Sequence, residues 1–202
     1  MKRKAWNKGK VVGQKAPFSP AQIKLIKSIL FAENNLRDLA LFSTAIDTML
    51  RASDLLKLTV EDVTDFQGQI KEQILIKQQK TNQGNLVMLS DATRDVLTNW
   101  IKQTNKATAE PLFTSLRKGG DKPITTTQYR RLVKYWATLA RMNPENVSTH
   151  SLRRTKASIV YEKTGNIEAV RQLLGQKSVT STSAYLNIGQ KEALAIAKTI
   201  EL

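Results

Sequence analysis

The apolar residues of this chain change their spacing in one internal segment, and that change limits the fold class. From Pro20 to about residue 58, and again from Ser90 onwards, they recur every three or four residues, which indicates amphipathic helices. Between Val60 and Leu89 they form three short groups separated by polar turns, which indicates three short strands. The pattern therefore predicts a mostly α-helical α+β fold with a small three-stranded antiparallel sheet.

Capping residues and glycines set the expected helix boundaries. Ser19-Pro20 is typical of a helix start, and Gly165 and Gly175 are typical of helix ends. Ser53 is expected to cap a short helix, which places Arg51 at a junction between two helices. The predicted helices cover about 20–32, 36–50, 54–58, 91–103, 125–142, 149–163, 167–174 and 179–186.

The charge of the chain points to a polyanionic partner, most simply nucleic acid. Lys+Arg 32 against Asp+Glu 17 gives a net charge of +15. The excess lies in the first fifteen residues and in the C-terminal half, whereas residues 16–101 are nearly neutral. A purely solubilising role of the lysines is the alternative. The candidate DNA-binding residues are Lys2, Arg3, Lys4, Arg130, Arg131, Lys134 and Lys177.

These patterns divide the chain into three parts. Residues 1–17 are basic and lack apolar periodicity, which predicts a flexible arm that either follows a DNA backbone or only aids solubility. Residues 18–189 form the main domain. Residues 190–202 form a small amphipathic C-terminal helix.

Several classes of site are excluded by residue counts. The chain has no cysteine and one histidine, which excludes disulfide scaffolds, thiol catalysis, Cys-ligated zinc and multi-His metal sites, although a carboxylate magnesium site stays open. No apolar run approaches the roughly 20 residues of a membrane span, and the basic N-terminus lacks the apolar region of a secretory signal. We therefore expect a protein of a reducing cytoplasm with no membrane association.

One cluster of residues has the chemistry to handle a phosphate. His150 and Arg153 are three residues apart and share one helical face, whereas Arg154 points about 100° away and is interpreted as a helix-surface or supporting residue. Arginine can hold two phosphate oxygens, histidine can transfer a proton, and Tyr185 can act as a nucleophile. Taken singly, such residues also have purely structural interpretations. Tyr185 alone would be interpreted as a half-buried tyrosine, and Arg51, at the junction described above, as a surface arginine at a helix end.

The order of these residues resembles a known family. The segments "TMLRASDLLKLTVEDV", "THSLRRTKAS" and "LLGQKSVTSTSAYL", with Lys80 in a turn between predicted strands, are similar to the catalytic domain of the tyrosine recombinases, or phage integrase family. The resemblance covers about residues 18–190. It implies that residues 18–189 are a catalytic domain of that fold.

The resemblance also implies a role for each site residue. Arg51 and Arg153 would clamp the scissile phosphate, and Tyr185 would attack it to form a 3′-phosphotyrosine. Lys80 would protonate the leaving 5′-oxygen, and His150 would assist proton transfer at the tyrosine. The catalytic set would need neither a metal nor a cofactor.

The chain departs from the family pattern at two points. After Leu-Leu-Gly the family usually has histidine or tryptophan, whereas this chain has Gln176, which can donate a hydrogen bond but cannot exchange a proton. Only a short basic segment precedes the catalytic domain, so the chain resembles the small single-domain members that lack the core-binding domain, such as the fimbrial invertases. The helix 190–202 resembles the segment that relatives pass to a neighbouring subunit, which would give dimers and rings of four on DNA.

The leading hypothesis is a site-specific DNA recombinase that performs integration, excision, inversion or dimer resolution. One alternative is a DNA-binding regulator or accessory factor with the same fold and little or no catalysis. Another is a type IB topoisomerase. The expected partners are double-stranded DNA with a specific recombination site, further copies of the chain, and a partner recombinase or DNA-bending protein. The setting would be the nucleoid of a bacterial, phage or archaeal system.

Overall fold

A computed structural model describes residues 15–115, 122–186 and the single position 198. Its helices and strands are α1 (Pro20–Ala32), α2 (Leu36–Thr48), α3 (Ala52–Leu55), α4 (Val60–Val63), β1 (Gln73–Lys77), β2 (Gly84–Met88), α5 (Asp91–Thr104), α6 (Thr126–Leu139), α7 (Thr149–Thr164), α8 (Ile167–Leu173) and α9 (Val179–Leu186). A single 3₁₀ turn, Pro144–Asn146, connects α6 to α7. The mostly helical prediction is therefore confirmed.

The helix α2 is the centre of the larger core. Every residue from Asp38 to Thr48 is buried, and the helix packs against α1, α5 and α7. A helix that is buried on all sides needs apolar partners on every face. Phe42 supplies part of this core through edge-to-face contacts with Phe18 and Trp136, whose ring centroids lie 6.2 Å and 5.3 Å away.

The sheet differs from the prediction. In the described part of the chain β1 and β2 form a two-stranded antiparallel hairpin, with Ile74 opposite Val87. The predicted first strand is instead α4, because Thr59 and Asp62 form a capping box at its start. The spacing of Val60 and Val63 also suits one helical turn. Ile70 forms only an isolated bridge with Thr64.

The C-terminal helices form a second, smaller core. Met49, Ala157, Val170 and Leu174 are buried together, and Tyr185 packs on this group. The boundaries of α9 agree with the prediction, and Gly165 ends α7 with φ 64°, as expected of a helix-stopping glycine. The nucleophile candidate is therefore held on a short helix that packs on α7 and α8.

The segment before α1 is fixed to the domain. The backbone N–H of Ala16 donates to the Asn146 carbonyl at 3.0 Å, and the N–H of Phe18 donates to the Thr155 hydroxyl at 3.0 Å. The last residues of the predicted arm therefore lie on the domain. Residues 1–14, the predicted turn 119–120 and, apart from position 198, the helix 190–202 lie outside the described residues. None of the described helices has the length and apolarity that a membrane crossing requires.

Candidate active site

Arg51 lies at the junction between α2 and α3. The backbone of Met49, which ends α2, is left-handed with φ 51°, and Arg51 itself, rather than the expected Ser53, is the N-cap residue of α3. The Arg51 Nη1 donates a hydrogen bond to Gln78 Oε1 at 2.6 Å and lies 3.9 Å from Asp54 Oδ2. The side chain is still 21% exposed, so an external anion can reach the guanidinium group.

Arg153 is the second arginine of the site, and it lies in the first half of α7. Its side chain is buried, and its Nη2 donates to the Leu174 carbonyl at 2.7 Å. Its Nη1 is also buried and has no hydrogen-bond partner among the described residues. Burial lowers the pKa of Arg153 to about 10, so the group is still charged at neutral pH. A buried charged donor without a partner is costly, and a phosphate oxygen would satisfy it.

The Tyr185 hydroxyl lies beside the start of α7. It donates to the His150 carbonyl at 3.4 Å, and the ring is half-buried. Burial raises the pKa of Tyr185 to about 12, although the positive charges of Arg153, Arg154 and Arg51 oppose this rise. The phenol is therefore protonated at neutral pH, and a nucleophilic attack by this residue needs a base.

His150 and Lys80 complete the group. Partial burial lowers the pKa of His150 below its ordinary value of 6.5, and the positive charges of Arg153, Arg51 and Lys80 lower it further. The imidazole is therefore neutral at pH 7 and can accept a proton. Lys80 is exposed in the turn between β1 and β2, and its effect on His150 places its charge on the same side of the domain.

Gln176, the residue at which this chain departs from the pattern His or Trp after Leu-Leu-Gly, lies in the loop between α8 and α9. Its Oε1 accepts a hydrogen bond from the buried Thr182 hydroxyl at 2.7 Å. The Arg171 side chain donates to the Gln176 carbonyl at 2.6 Å, which fixes the loop backbone. Because the amide oxygen is already used, the half-buried side chain presents its NH₂ group as a donor.

Two residues near the site were not given these roles by the sequence. Gln78 is fully buried beside Arg51, and the inward alternation of Ile74 and Ile76 in β1 extends to this position, a signal that could have revealed it. Arg154 is buried, so the helix-surface reading is wrong and the supporting reading remains: it donates to the Lys15 carbonyl at 2.9 Å and lies 5.9 Å from the centre of the Tyr185 ring. No sequence pattern signals this packing.

The comparison with family models decides the family. The model of the phage integrase family matches residues 19–192, which is most of the chain. The chain belongs to the phage integrase family.

Relatives of this integrase-family chain are named recombinases. It is 29% identical over 177 residues to a probable integrase/recombinase of Bacillus subtilis, covering 88% of this chain and 91% of the relative. It is 28% identical over 183 residues to a tyrosine recombinase of Pseudothermotoga lettingae, covering 90% of this chain but only 60% of the relative. Of several other relatives the chain spans only 50% to 60% of the length. Because the relatives are named recombinases and integrases, the regulator alternative is not favoured.

Solved structures agree in fold. The crystal structure of XerA recombinase has a TM-score of 0.74 at 21% identity and covers 93% of this chain and 66% of that one. The transposon Tn1549 integrase, solved in complex with a circular intermediate DNA, has a TM-score of 0.69 at 21% identity and covers 95% of this chain and 68% of that one. The architecture is therefore that of recombinase catalytic domains.

The predicted DNA-binding residues differ in how exposed their charge is. Arg130 and Arg131 are exposed on α6, and Lys177 is exposed in the loop before α9. Lys134 forms an ion pair with Glu145 at 2.6 Å, which reduces the charge that it offers to a ligand. Lys2, Arg3 and Lys4 lie outside the described residues. In this integrase-family domain the interface with DNA stays a prediction.

Gly175 provides a stability test at the centre of the site. Its φ is +58°, and a Cβ at this position would overlap Gln78 Nε2 and approach Asn85 Cγ to 2.9 Å. We expect Gly175→Ala to reduce the free energy of unfolding by at least about 2 kcal/mol, because it combines backbone strain with steric overlap. Gly165→Ala is the matched control, since its φ is +64° and no atom lies within 4 Å of the new Cβ. Equal losses in urea unfolding would refute the close packing at Gly175.

The single histidine makes a direct pKa measurement possible. We expect the imidazole NMR signals of the DNA-free protein to titrate with a midpoint below 6.5, because burial and three cations disfavour the charged form. Because folding lowers the pKa of His150, the unfolded chain takes up a proton before the folded protein does as pH falls below 6.5. The free energy of unfolding should therefore decrease from pH 6.5 down to the folded-state midpoint. The midpoint should rise in Arg153→Ala, which removes the largest of the three charge effects. A midpoint at or above 6.5 in the unaltered protein would contradict the geometry.

Gln176 tests the departure from the family pattern. We expect Gln176→Ala to lower the DNA cleavage rate about tenfold, the effect of one neutral hydrogen bond of roughly 1–1.5 kcal/mol in the transition state. Stability should change little, because the Thr182 hydroxyl can donate to the Ser178 carbonyl at 3.2 Å instead. Gln176→His should cleave at least as fast as the unaltered protein. An Ala variant with the unaltered rate would show that the side chain does not contact the phosphate.

Proposed function

We propose that this chain is the catalytic domain of a site-specific DNA recombinase that cuts and rejoins DNA through a 3′-phosphotyrosine. The observation that carries this proposal is the buried Arg153 guanidinium group, which has one unpaired donor and lies in the same site as Arg51 and Tyr185. Three guanidinium groups, those of Arg153, Arg154 and Arg51, lower the pKa of this one phenol, and such a concentration of positive charge suits a phosphate diester better than a neutral substrate.

The arginines would bind and stabilise the reacting phosphate. Arg153 would donate its buried, unpaired Nη1 to one non-bridging oxygen when the reacting phosphate enters beside Tyr185, and Arg51 would donate from its exposed edge to the other. Both groups are charged and held by hydrogen bonds before DNA arrives, so they need little rearrangement as negative charge develops. Gln176 would add a neutral donor to the same oxygens.

The remaining residues would move the protons. Tyr185 Oη attacks phosphorus while neutral His150 accepts the phenol proton, and the bond to the 5′-oxygen breaks. Lys80 gives a proton to that oxygen, so the products are a 3′-phosphotyrosine and a 5′-hydroxyl. A 5′-hydroxyl from a second duplex can reverse the step, which exchanges strands. These fixed cations would replace a metal ion, and the reaction would use no cofactor.

The wider context follows from charge and family. The net charge of +15 suits double-stranded DNA carrying a specific recombination site. Strand exchange joins two duplexes, so we propose that the chain forms dimers and tetramers on DNA. The segment 190–202 would be exchanged between subunits. A partner recombinase or a DNA-bending protein would assist the reaction. The three-part division at residues 17 and 189 belongs to the same proposal. The protein would act at the nucleoid in the cytoplasm.

A trapping experiment with random DNA tests this function without knowledge of the target site. Duplexes with a randomised core and a nick beside each possible cleavage point lose the short 5′-hydroxyl strand after cutting, which prevents rejoining. Covalent protein–DNA complexes are isolated under denaturing conditions, and their DNA is amplified and sequenced. We expect enrichment of a defined sequence motif with the unaltered protein and none with Tyr185→Phe. Complexes that form equally with both proteins, or not at all, would refute the proposal.

A further inference from the structure

We propose that Gln78 is a positioning residue that joins the two arginines and the Lys80 turn into one preorganised unit. The inference rests on the proposed strand-transfer function. Gln78 follows β1 and is 1% exposed, and glutamine is seldom buried to this degree. Both ends of its side-chain amide are used in hydrogen bonds that lead towards site residues.

The amide oxygen of Gln78 fixes Arg51. It accepts from Arg51 Nη1 at 2.6 Å, which is shorter than a typical N–H···O distance of about 2.9 Å. Charge-assisted hydrogen bonds of this kind are the stronger ones, particularly when one partner is buried. The Arg51 guanidinium group is thereby held in one orientation while its exposed edge stays free for a ligand.

The amide nitrogen of Gln78 leads to Arg153. Gln78 Nε2 donates to the Leu174 carbonyl at 3.4 Å, and Arg153 Nη2 donates to the same oxygen at 2.7 Å. The Leu174 carbonyl therefore links the two side chains. The two arginines come from residues far apart in sequence, and this chain of hydrogen bonds sets their relative position.

The same glutamine anchors the turn that carries Lys80. The Thr81 hydroxyl donates to Gln78 Oε1 at 3.1 Å, and the Asn82 N–H donates to the Gln78 carbonyl at 2.8 Å. The Gln78 N–H closes the turn by donating to the Gln83 carbonyl at 2.9 Å. Lys80 itself is exposed, so its position depends on how firmly this turn is held.

The local packing is built around the amide. A Cβ on residue 175 would overlap Gln78 Nε2, so only glycine allows the chain after α8 to approach this closely. Asn85 Nδ2 donates to the neighbouring Leu173 carbonyl at 3.4 Å, which holds the same segment from β2. The end of α8 is therefore tied to the hairpin through two buried amides.

Glutamine suits this position better than its nearest substitutes. A glutamate would bind Arg51 more strongly, but it would partly neutralise the positive charge meant for the phosphate and could not donate to Leu174. A methionine of similar length would leave the Arg51 Nη1 and the Leu174 carbonyl each with one partner fewer. A neutral group that both accepts and donates satisfies both without altering the charge of the site.

Cleavage kinetics on two substrates test the proposal. The variants are Gln78→Met and Gln78→Glu, with Gln79→Met as the matched control because the neighbouring Gln79 side chain is exposed. Each is assayed in single turnover on a nicked duplex obtained by the trapping experiment. We expect both Gln78 variants to cleave about 100-fold more slowly, as for a catalytic group displaced by about 1 Å. DNA affinity should stay within about threefold, and the control should match the unaltered protein.

A methylphosphonate at the cleaved position separates positioning from general damage. This group replaces one charged oxygen by a methyl, so the arginines have less charge to stabilise. We expect the defect of Gln78→Met to shrink at least tenfold on this substrate. A defect of the same size on both substrates, or a Gln78→Met rate within threefold of the unaltered rate, would overturn the inference and leave the proposed function standing.

Arginine side-chain NMR on the DNA-free protein tests the positioning without catalysis. The Nε–H signals of Arg51 and Arg153 are assigned from their lysine variants. We expect Gln78→Met to shift or broaden both signals, and Gln79→Met to leave them unchanged. Unchanged signals in Gln78→Met would overturn the inference whatever the DNA reaction. Altered signals in a protein that never forms a DNA adduct would support the positioning role and refute the proposed function instead.

Discussion

Tyr185→Phe is expected to form no covalent complex with DNA while binding it with unchanged affinity. The substitution removes only the hydroxyl, whose hydrogen bond to the His150 carbonyl is long at 3.4 Å and contributes little to folding. The other site residues keep their positions, so the scissile phosphate would still be bound. Without a phenol oxygen there is no nucleophile, and the rate should fall below detection, by at least about 10⁴-fold.

The measurement is a denaturing gel of the protein incubated with a nicked duplex, together with a binding isotherm at the same salt concentration. Tyr161→Phe is the control, because Tyr161 packs in the same small core as Tyr185. It should form the adduct at the unaltered rate. An adduct in Tyr185→Phe, or loss of the adduct in Tyr161→Phe, would show that Tyr185 is not the nucleophile.

Arg153→Ala is expected to reduce cleavage about 10³–10⁴-fold, with a much smaller loss of DNA binding. One preorganised donor on a developing negative charge is worth roughly 10²–10³-fold, and an arginine on a reacting phosphate as much as 10³–10⁵-fold. Arg153→Lys should be intermediate, since a lysine keeps the charge but lacks the planar fork that serves Leu174 and a phosphate oxygen together.

The folding cost of Arg153→Ala should be small for a buried residue. The substitution loses the hydrogen bond to Leu174, but it also removes a buried donor that has no partner among the described residues. Arg94→Ala serves as the control, because Arg94 bonds to Asp91 and to the Ile70 carbonyl. Single-turnover cleavage rates and thermal unfolding midpoints of both variants distinguish a catalytic arginine from a structural one. A rate loss that follows the drop in midpoint would indicate a structural arginine.

The helical elements were largely predictable because their signals are local. Ser19 and Gln22 form a capping box at α1, Thr125 caps α6, and the boundaries of α9 were placed correctly. The error at Val60 lies in grouping Val60 and Val63 with the strand residues, because a spacing of three suits a helical turn and would place the two side chains on opposite faces of a strand. The capping box of Thr59 with Asp62 decides for the helix.

The family resemblance predicts which residues form the site, but it does not predict their geometry. Arg51 and Arg153 lie 102 positions apart, and nothing in their local sequence shows that both connect to Gln78 and the Leu174 carbonyl. Arg154 was expected at the helix surface or in support, and only the packing of the segment before α1 on α7 explains its burial. Long-range contacts of this kind are set by the whole fold, so no sequence window contains them.

Peptide mapping of the trapped complex tests the central claim most directly. The protein is trapped on the selected nicked duplex, digested with trypsin and nuclease, and sequenced by mass spectrometry. The account predicts a nucleotide attached through a 3′-phosphate to Tyr185, in the tryptic peptide 178–191. Attachment to any other residue, or attachment through a 5′-phosphate, would contradict it.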